Sequence, residues 1–253
     1  MRKIYFFAAF LALLSACGGR DEKAVNPTGS MADTLSLVLE GDSTVYGLAC
    51  DGCNDTILVF LPLSNTAGDP DTFNVLEATR SHRVYGHLNV GDNVAVVRST
   101  ADTTVAQLVI DMEDLCHTWC YLATPTLKER ADITPAMRKQ FLSQMPDSVR
   151  DSLFMPREYG FTINADHTAR PVGQYYRKDE NSPVEYPKPH RYRQWQLLNG
   201  SLLLTRTELD STGQQRAVGT DTAHFVLLRN DTLVLSFPDG PQSYYRKQKE
   251  TDR

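Results

Sequence analysis

The chain lacks any stretch long enough to cross a membrane as a helix. Its longest apolar run is Ile4 to Leu14, well short of the roughly 20 residues that a hydrocarbon core of about 30 Å requires. That run is therefore expected to direct export rather than to remain as a span. Also missing are a Gly-x-Ser-x-Gly elbow, a phosphate-cradling glycine loop, a His-Glu-x-x-His helix and calcium-loop spacing. The chain is accordingly read as non-catalytic, with no cofactor and no resident metal. Positive charge is in deficit as well, 26 Lys and Arg against 31 Asp and Glu for a net charge of −5. Binders of nucleic acid concentrate basic residues on one face, so no nucleic-acid partner is expected. Cysteine is sparse, with five in the whole chain.

What is present begins at the front. Met1-Arg2-Lys3 is a short basic head, the apolar run follows, and small residues arrive at Ser15 and Ala16. That layout is a secretory signal peptide over residues 1–16. Leu14-Ser15-Ala16-Cys17 resembles the lipobox of bacterial lipoproteins. The resemblance implies that Cys17 is lipidated on sulfur, freed by cleavage before it, and acylated, palmitate being the typical chain, on its new N-terminus. Several acyl chains on one residue hold a membrane firmly where one chain does not, so the expected partner of Cys17 is the membrane.

Residues 17–33 contain Gly18-Gly19-Arg20-Asp21-Glu22-Lys23 and almost nothing apolar, the composition of a flexible tether. The charged cluster resembles the export signal on surface lipoproteins of Bacteroidetes-type bacteria. No Asp follows Cys17 directly, which in the lipoprotein family implies an outer-membrane anchor in the cell envelope, facing the periplasm or exposed at the surface.

Thirteen prolines and fifteen glycines spread along the chain suit many short strands, and the fold class read here is mainly β. Residues 34–112 carry the runs Leu35 to Leu39, Thr44 to Leu48, Ile57 to Leu61, Phe73 to Leu76, Arg83 to Tyr85, Val94 to Val97 and Val105 to Ile110. The continuous run Ile57 to Leu61 predicts a strand buried on both faces. Strands so short and numerous imply closure that leaves few edges, and a small, partly open OB-like β-barrel is expected, with Gly86 and Val90-Gly91-Asp92-Asn93 as bend points.

Cys50 and Cys53 lie in that half, three apart around Asp51-Gly52. They are a candidate disulfide or thiol pair, and three readings stay open: a disulfide pinning a strand junction, soft thiolates for an ion such as Cu(I), or a redox pair. The stretch from Tyr46 to Thr56 resembles the Cys-x-x-Cys element of NlpE-like lipoproteins of copper homeostasis and envelope stress, without the proline that family places before its first cysteine. A zinc site shared with Cys116 and Cys120 is disfavoured. If those two lie on one strand they stand about 13 Å apart at 3.3 Å per residue, too far for one tetrahedral ion.

Residues 113–248 form the second expected domain. Thr134-Pro135 predicts a helix start in a helical insertion over about 134–155, whose Met137, Phe141, Leu142 and Met145 face is expected to pack on a barrel. Tyr159, Phe161 and Ile163 alternate into a strand that ends at Asn164 to Ala169. Asn199-Gly200 is a strong hairpin signal, and Asn230-Asp231 and Pro238-Asp239-Gly240 mark further turns in an antiparallel meander. Leu115-Cys116-His117-Thr118-Trp119 resembles the opening of lipocalin-like domains, in which a tryptophan plugs one end of the barrel. That resemblance implies a lipocalin-like antiparallel β-barrel.

Gly173 to Tyr192 interrupts the meander with Tyr175, Tyr176, Tyr186 and Tyr192 among basic residues and prolines. Long loops of this kind often carry function, and these four tyrosines are the candidate ligand-contact loop. The functional expectation is a membrane-anchored envelope lipoprotein that binds a small apolar or amphipathic ligand, or an envelope protein. A copper- or redox-responsive envelope-stress sensor acting through Cys50 and Cys53, and a structural accessory lipoprotein of an envelope complex, stand beside it.

Overall fold

Apolar residues recur at alternate positions in short runs between Gly, Asp and Asn through most of the chain, and nearly every such run is a strand in the computed structural model. The structure describes residues 39–129, 134–174, 184–209 and 214–248. The leader, Cys17, the tether and the run Leu35 to Val38 lie outside the described residues.

The first half holds β1 (Thr44–Ala49), β2 (Ile57–Pro62), β3 (Asp71–Asn74), α1 (Leu76–Arg80), β4 (Val84–Tyr85), β5 (Asn93–Arg98) and β6 (Ala106–Asp111). They form one sheet in the order β3-β2-β1-β5-β6-β4. A parallel bridge between Asn74 and Val105 brings the end of β3 to the start of β6. The sheet thereby curls on itself into a partly open OB-like barrel of β1, β2, β3, β6 and β5. Its interior is filled by Leu58, Phe60, Phe73, Val94, Val96 and Val109. Strand β2 departs from expectation, because Leu58 and Phe60 are buried but Ile57 is 39% exposed. The strand covered on both faces is β5, where Val94 and Val96 point into this barrel while Ala95 joins a different core.

A short helix, α2 (Met112–Leu115), leads out of β6, capped by Asp111, whose Oδ1 accepts hydrogen bonds from Glu113 N (2.8 Å) and Asp114 N (3.1 Å). Cys116 ends this helix and the next strand starts at Thr118. Cys116 and Cys120 therefore do not share a strand as the sequence suggested.

The second half holds β7 (Thr118–Ala123), β8 (Thr126–Leu127), α3 (Pro135–Gln144), α4 (Asp147–Leu153), β9 (Arg157–Ile163), β10 (Ala169–Val172), β11 (Val184–Glu185), β12 (Arg191–Leu198), β13 (Ser201–Leu209), β14 (Gln215–Arg229), β15 (Thr232–Phe237) and β16 (Gly240–Arg246). Eight of these strands form an antiparallel sheet in the order β10-β9-β7-β16-β15-β14-β13-β12, and β8 pairs with β11 separately. The two outer strands of the eight approach each other, since Thr168 bridges Gln194 and Trp195 N donates to His167 O at 3.0 Å. The sheet is thus a nearly closed barrel. Asn199 and Gly200 both have positive φ, 49° and 78°, as a two-residue hairpin that matches strand twist requires. His167, in the turn between β9 and β10, takes the left-handed conformation at φ 61°.

One end of this barrel is closed by the first. Tyr85 OH donates to Phe225 O (2.8 Å) and Gly86 N to Leu228 O (2.8 Å). The hairpin tip is pinned too, as Asn199 N donates to Asp42 Oδ1 (3.0 Å) and Ser43 N to Asn199 Oδ1 (2.9 Å). Tyr85, Ala95, Ile110, Met112 and Leu115 share one apolar cluster with Trp119 and Trp195. Gly86, at φ 93°, lies so close to Asp111 and Asp114 that a side chain there would collide with them.

The helical pair corrects another expectation. Thr134 caps α3 and Pro135 opens it, but neither helix contains a buried residue. Met137, Phe141 and Val149 are 54%, 49% and 44% exposed, and a groove between α3 and α4 is lined by Leu142, Phe154 and Met155. Among the described residues no helix is long and apolar enough to cross a membrane.

Asp111 is 1% exposed, and burial pushes its carboxyl up to about 7, with Asp92 and Asp114 adding to the rise and the capping bonds opposing it. An unfolded Asp titrates near about 3.9, so between that pH and about 7 the folded chain holds a proton the unfolded chain has lost. Stability tied to this group is full below about pH 4 and falls as pH rises toward 7. Asp111→Asn keeps the capping oxygen and removes the charge. Thermal unfolding should show the variant level with the native protein at pH 4 and the more stable of the two at pH 8; equal melting points at both values would contradict this.

Candidate functional site

The end of the second barrel opposite the first is open. Inward positions recur every second residue along a strand, and at this end they are aromatic: Tyr121 on β7, Phe161 on β9, Tyr192 on β12 and Tyr244 on β16. With Phe237 and Asp221 they wall a cavity of about 480 Å³. The rings meet mostly edge to face, Tyr121 and Tyr244 at 5.6 Å, Phe161 and Tyr244 at 5.2 Å, Phe161 and Tyr192 at 5.5 Å between centroids. That geometry is the favoured one for aromatic quadrupoles, so the rings hold one another as a stiff floor. Gly160 supplies part of the wall for a steric reason, since a side chain there would strike the backbone of Trp119 and Cys120.

The polar groups at the rim centre on Asp221. It faces His190 Nδ1 at 2.6 Å, accepts from Tyr192 OH at 2.9 Å, and pairs with Arg206 Nη1 at 3.2 Å. Burial raises the Tyr192 phenol well above the ordinary tyrosine range, and the charge of Asp221 and the bond to it add to the rise. Tyr244 is raised by burial, then by Tyr121 and Asp239, and Tyr121 by burial and Tyr159. All three hydroxyls therefore remain protonated donors. Those of Tyr121 and Tyr244 have no hydrogen-bond partner among the described residues. Lys188, at the rim, is paired with Glu185 at 2.7 Å. His190 and Asp221 form an imidazole–carboxylate pair; no Ser, Thr or Cys lines the cavity among the described residues, and the hydroxyl beside the pair is that of Tyr192.

The structure separates the residues that the sequence singled out. Tyr175 and Tyr176 lie outside the described residues. Tyr192 is in strand β12 rather than a loop and is 6% exposed; it does reach the cavity. Tyr186 instead lies against Arg157, whose guanidinium carbon is 5.0 Å from the ring centroid. Cys50 and Cys53 sit in the other barrel, at the turn between β1 and β2, and both are free thiols. Of the readings the sequence left open for this pair, the disulfide is not seen in this structure, where the Cys53 thiol lies on the carbonyls of Cys50 (3.0 Å) and Val59 (3.5 Å). Cys116 and Cys120 are free as well, pushed by burial up to about 12 and about 11, which disfavours the thiolate a metal needs. Among the described residues no three His, Cys, Asp or Glu side chains gather as a metal site.

Sequence reasoning missed Tyr121, Tyr244, His190 and Asp221. Tyr121 stands two residues after Trp119 and Tyr244 two before Arg246, so their shared face was visible as a period of two. That the two strands are neighbours, with Arg246 opposite Trp119, was not.

No family model and no curated protein matches this chain. Among solved structures, it is similar to a lipocalin-like protein from Bacteroides thetaiotaomicron, with 15% identity over 53% of this chain and 97% of that one and a TM-score of 0.28.

Removing the Asp221 carboxylate strands the Arg206 guanidinium and the Tyr192 hydroxyl, whose side chains are largely enclosed. Breaking a buried pair costs several kcal/mol; with Arg206 about a third exposed, Asp221→Ala should cost ~2 kcal/mol in denaturant unfolding. Asp221→Asn, which can still accept from Tyr192, should cost less. A loss within ~0.5 kcal/mol for the alanine variant, the range of ordinary surface changes, would show that this network does not hold the rim.

Proposed function

We propose that the protein is a lipid-anchored lipoprotein of the cell envelope, held in the outer membrane through Cys17, whose eight-stranded barrel binds a small amphipathic molecule at its open end without transforming it. The observation that carries the binding reading is the cavity of about 480 Å³ floored by aromatic rings. Ligand sites are concave and combine apolar surface with placed polar groups, and this cavity sets aromatic rings beside Asp221, His190 and Gln242. The anchor reading rests on Leu14-Ser15-Ala16-Cys17 following an export-type leader. Together they describe a binding module tethered at the membrane, its closed end occupied by the OB-like barrel.

Native mass spectrometry of protein isolated without detergent should reveal a non-covalent small-molecule adduct. Gln242→Trp, which puts an indole into the cavity wall, should remove that adduct while circular dichroism stays unchanged. No adduct on the native protein, or an adduct that survives the tryptophan, would count against binding at this end. For the anchor, Cys17→Ser protein should appear in the soluble fraction after a high-salt wash while the native protein stays with membranes; equal membrane retention would overturn it.

A further inference from the structure

The interior beyond the ring floor is full. Trp119, Trp195, Leu202, Leu204, Leu233 and Leu235 are each 0% exposed, and the first barrel closes the far end through Tyr85 and Gly86. A long acyl chain needs a continuous apolar channel down a barrel, and here the space ends at Phe161, Tyr192 and Tyr244.

The polar groups narrow the choice further. Tyr244 is 6% exposed, yet its hydroxyl, like that of Tyr121, has no hydrogen-bond partner among the described residues. Both phenols border the cavity and neither is engaged within the described residues, so a molecule seated there can take a hydrogen bond from them in place of water. Charge does not help an anion here. Asp221 and Asp239 both line the space, and Lys188, which lines it among the described residues, is already matched by Glu185.

We infer that the cavity takes a compact, uncharged, ring-shaped molecule carrying a carbonyl-type acceptor, its flat face against Phe161 and Tyr192 and its oxygen against Tyr244 and Tyr121. This rests on the reading that the open end is a binding site and specifies what it binds. Fatty acids, with a long chain and a carboxylate, fit neither the depth nor the charge.

Three probes separate the possibilities by titration calorimetry: flavone, a neutral planar ketone; 2-phenylnaphthalene, of similar outline without the oxygen; and palmitate. Flavone should bind the native protein about fivefold to thirtyfold more tightly than 2-phenylnaphthalene, the span of one to two net hydrogen bonds. Tyr121→Phe combined with Tyr244→Phe should erase most of that preference, leave 2-phenylnaphthalene unchanged, and leave the melting temperature unchanged because neither lost hydroxyl has a partner among the described residues. Palmitate should not displace flavone. Displacement by palmitate, or a flavone preference that survives the double replacement, overturns the ligand class while the binding reading stands. If none of the three binds and no adduct is seen on the native protein, both fail.

Discussion

The enclosed indole of Trp119 is the contact on which the second barrel is built. Its Nε1 donates to Leu115 O at 2.9 Å, fastening the end of α2 to the start of β7. The Arg246 guanidinium lies over its ring, 5.6 Å from the centroid, so the last strand is held to the first at the position where their ladder pairs Arg246 with Trp119. On the other side Gly160 brings β9 against the same backbone with no side chain between them. Three strands and the linker helix thus converge on one group that is 0% exposed, and the barrel has a filled end because that group fills it.

From that end the rest follows. The linker helix carries Met112 and Leu115 into the same cluster, and the outer face of β5 and β6 follows with Ala95 and Ile110. The first barrel is consequently a stopper as well as a domain, with apolar surface on both sides of one strand pair. Barrels suit such a chain because closure removes the exposed edges on which other chains could pair. With one end stopped, the aromatic positions nearer the opposite rim face a space that nothing in the described chain occupies.

Much of this was legible in the residues. Asn199-Gly200 made its hairpin because both residues accept positive φ, Thr134-Pro135 opened a helix because one supplies a cap and the other needs no amide partner, and the OB-like barrel and the antiparallel barrel followed from short strands and turn spacing. Less legible was which face each element would bury. Ile57 to Leu61 and Val94 to Val97 read alike as continuous apolar runs, yet only the second is covered on both sides, since the second barrel lies against it. The stripe on α3 and α4 marked a face without naming a partner, and it is exposed. Cys50 and Cys53 had disulfide spacing, but spacing says nothing of the rotamer that turned Cys53 to a carbonyl. The tyrosine-rich segment drew attention for its composition; of its described tyrosines only Tyr192 lines the cavity, from a strand.

By itself the sequence determined the mainly β character and the position of most turns, because each depends on residues adjacent in the chain or on a period of two. The tertiary structure alone decided that the barrels share a core, that one end is sealed, and that Tyr121, Tyr192, Asp221 and Tyr244 meet at the other. Those residues lie on four strands spread from Tyr121 to Tyr244, and only strand order and register bring them together. No local pattern carries that information, since a shift of one residue in any ladder would turn the same side chains to the opposite face.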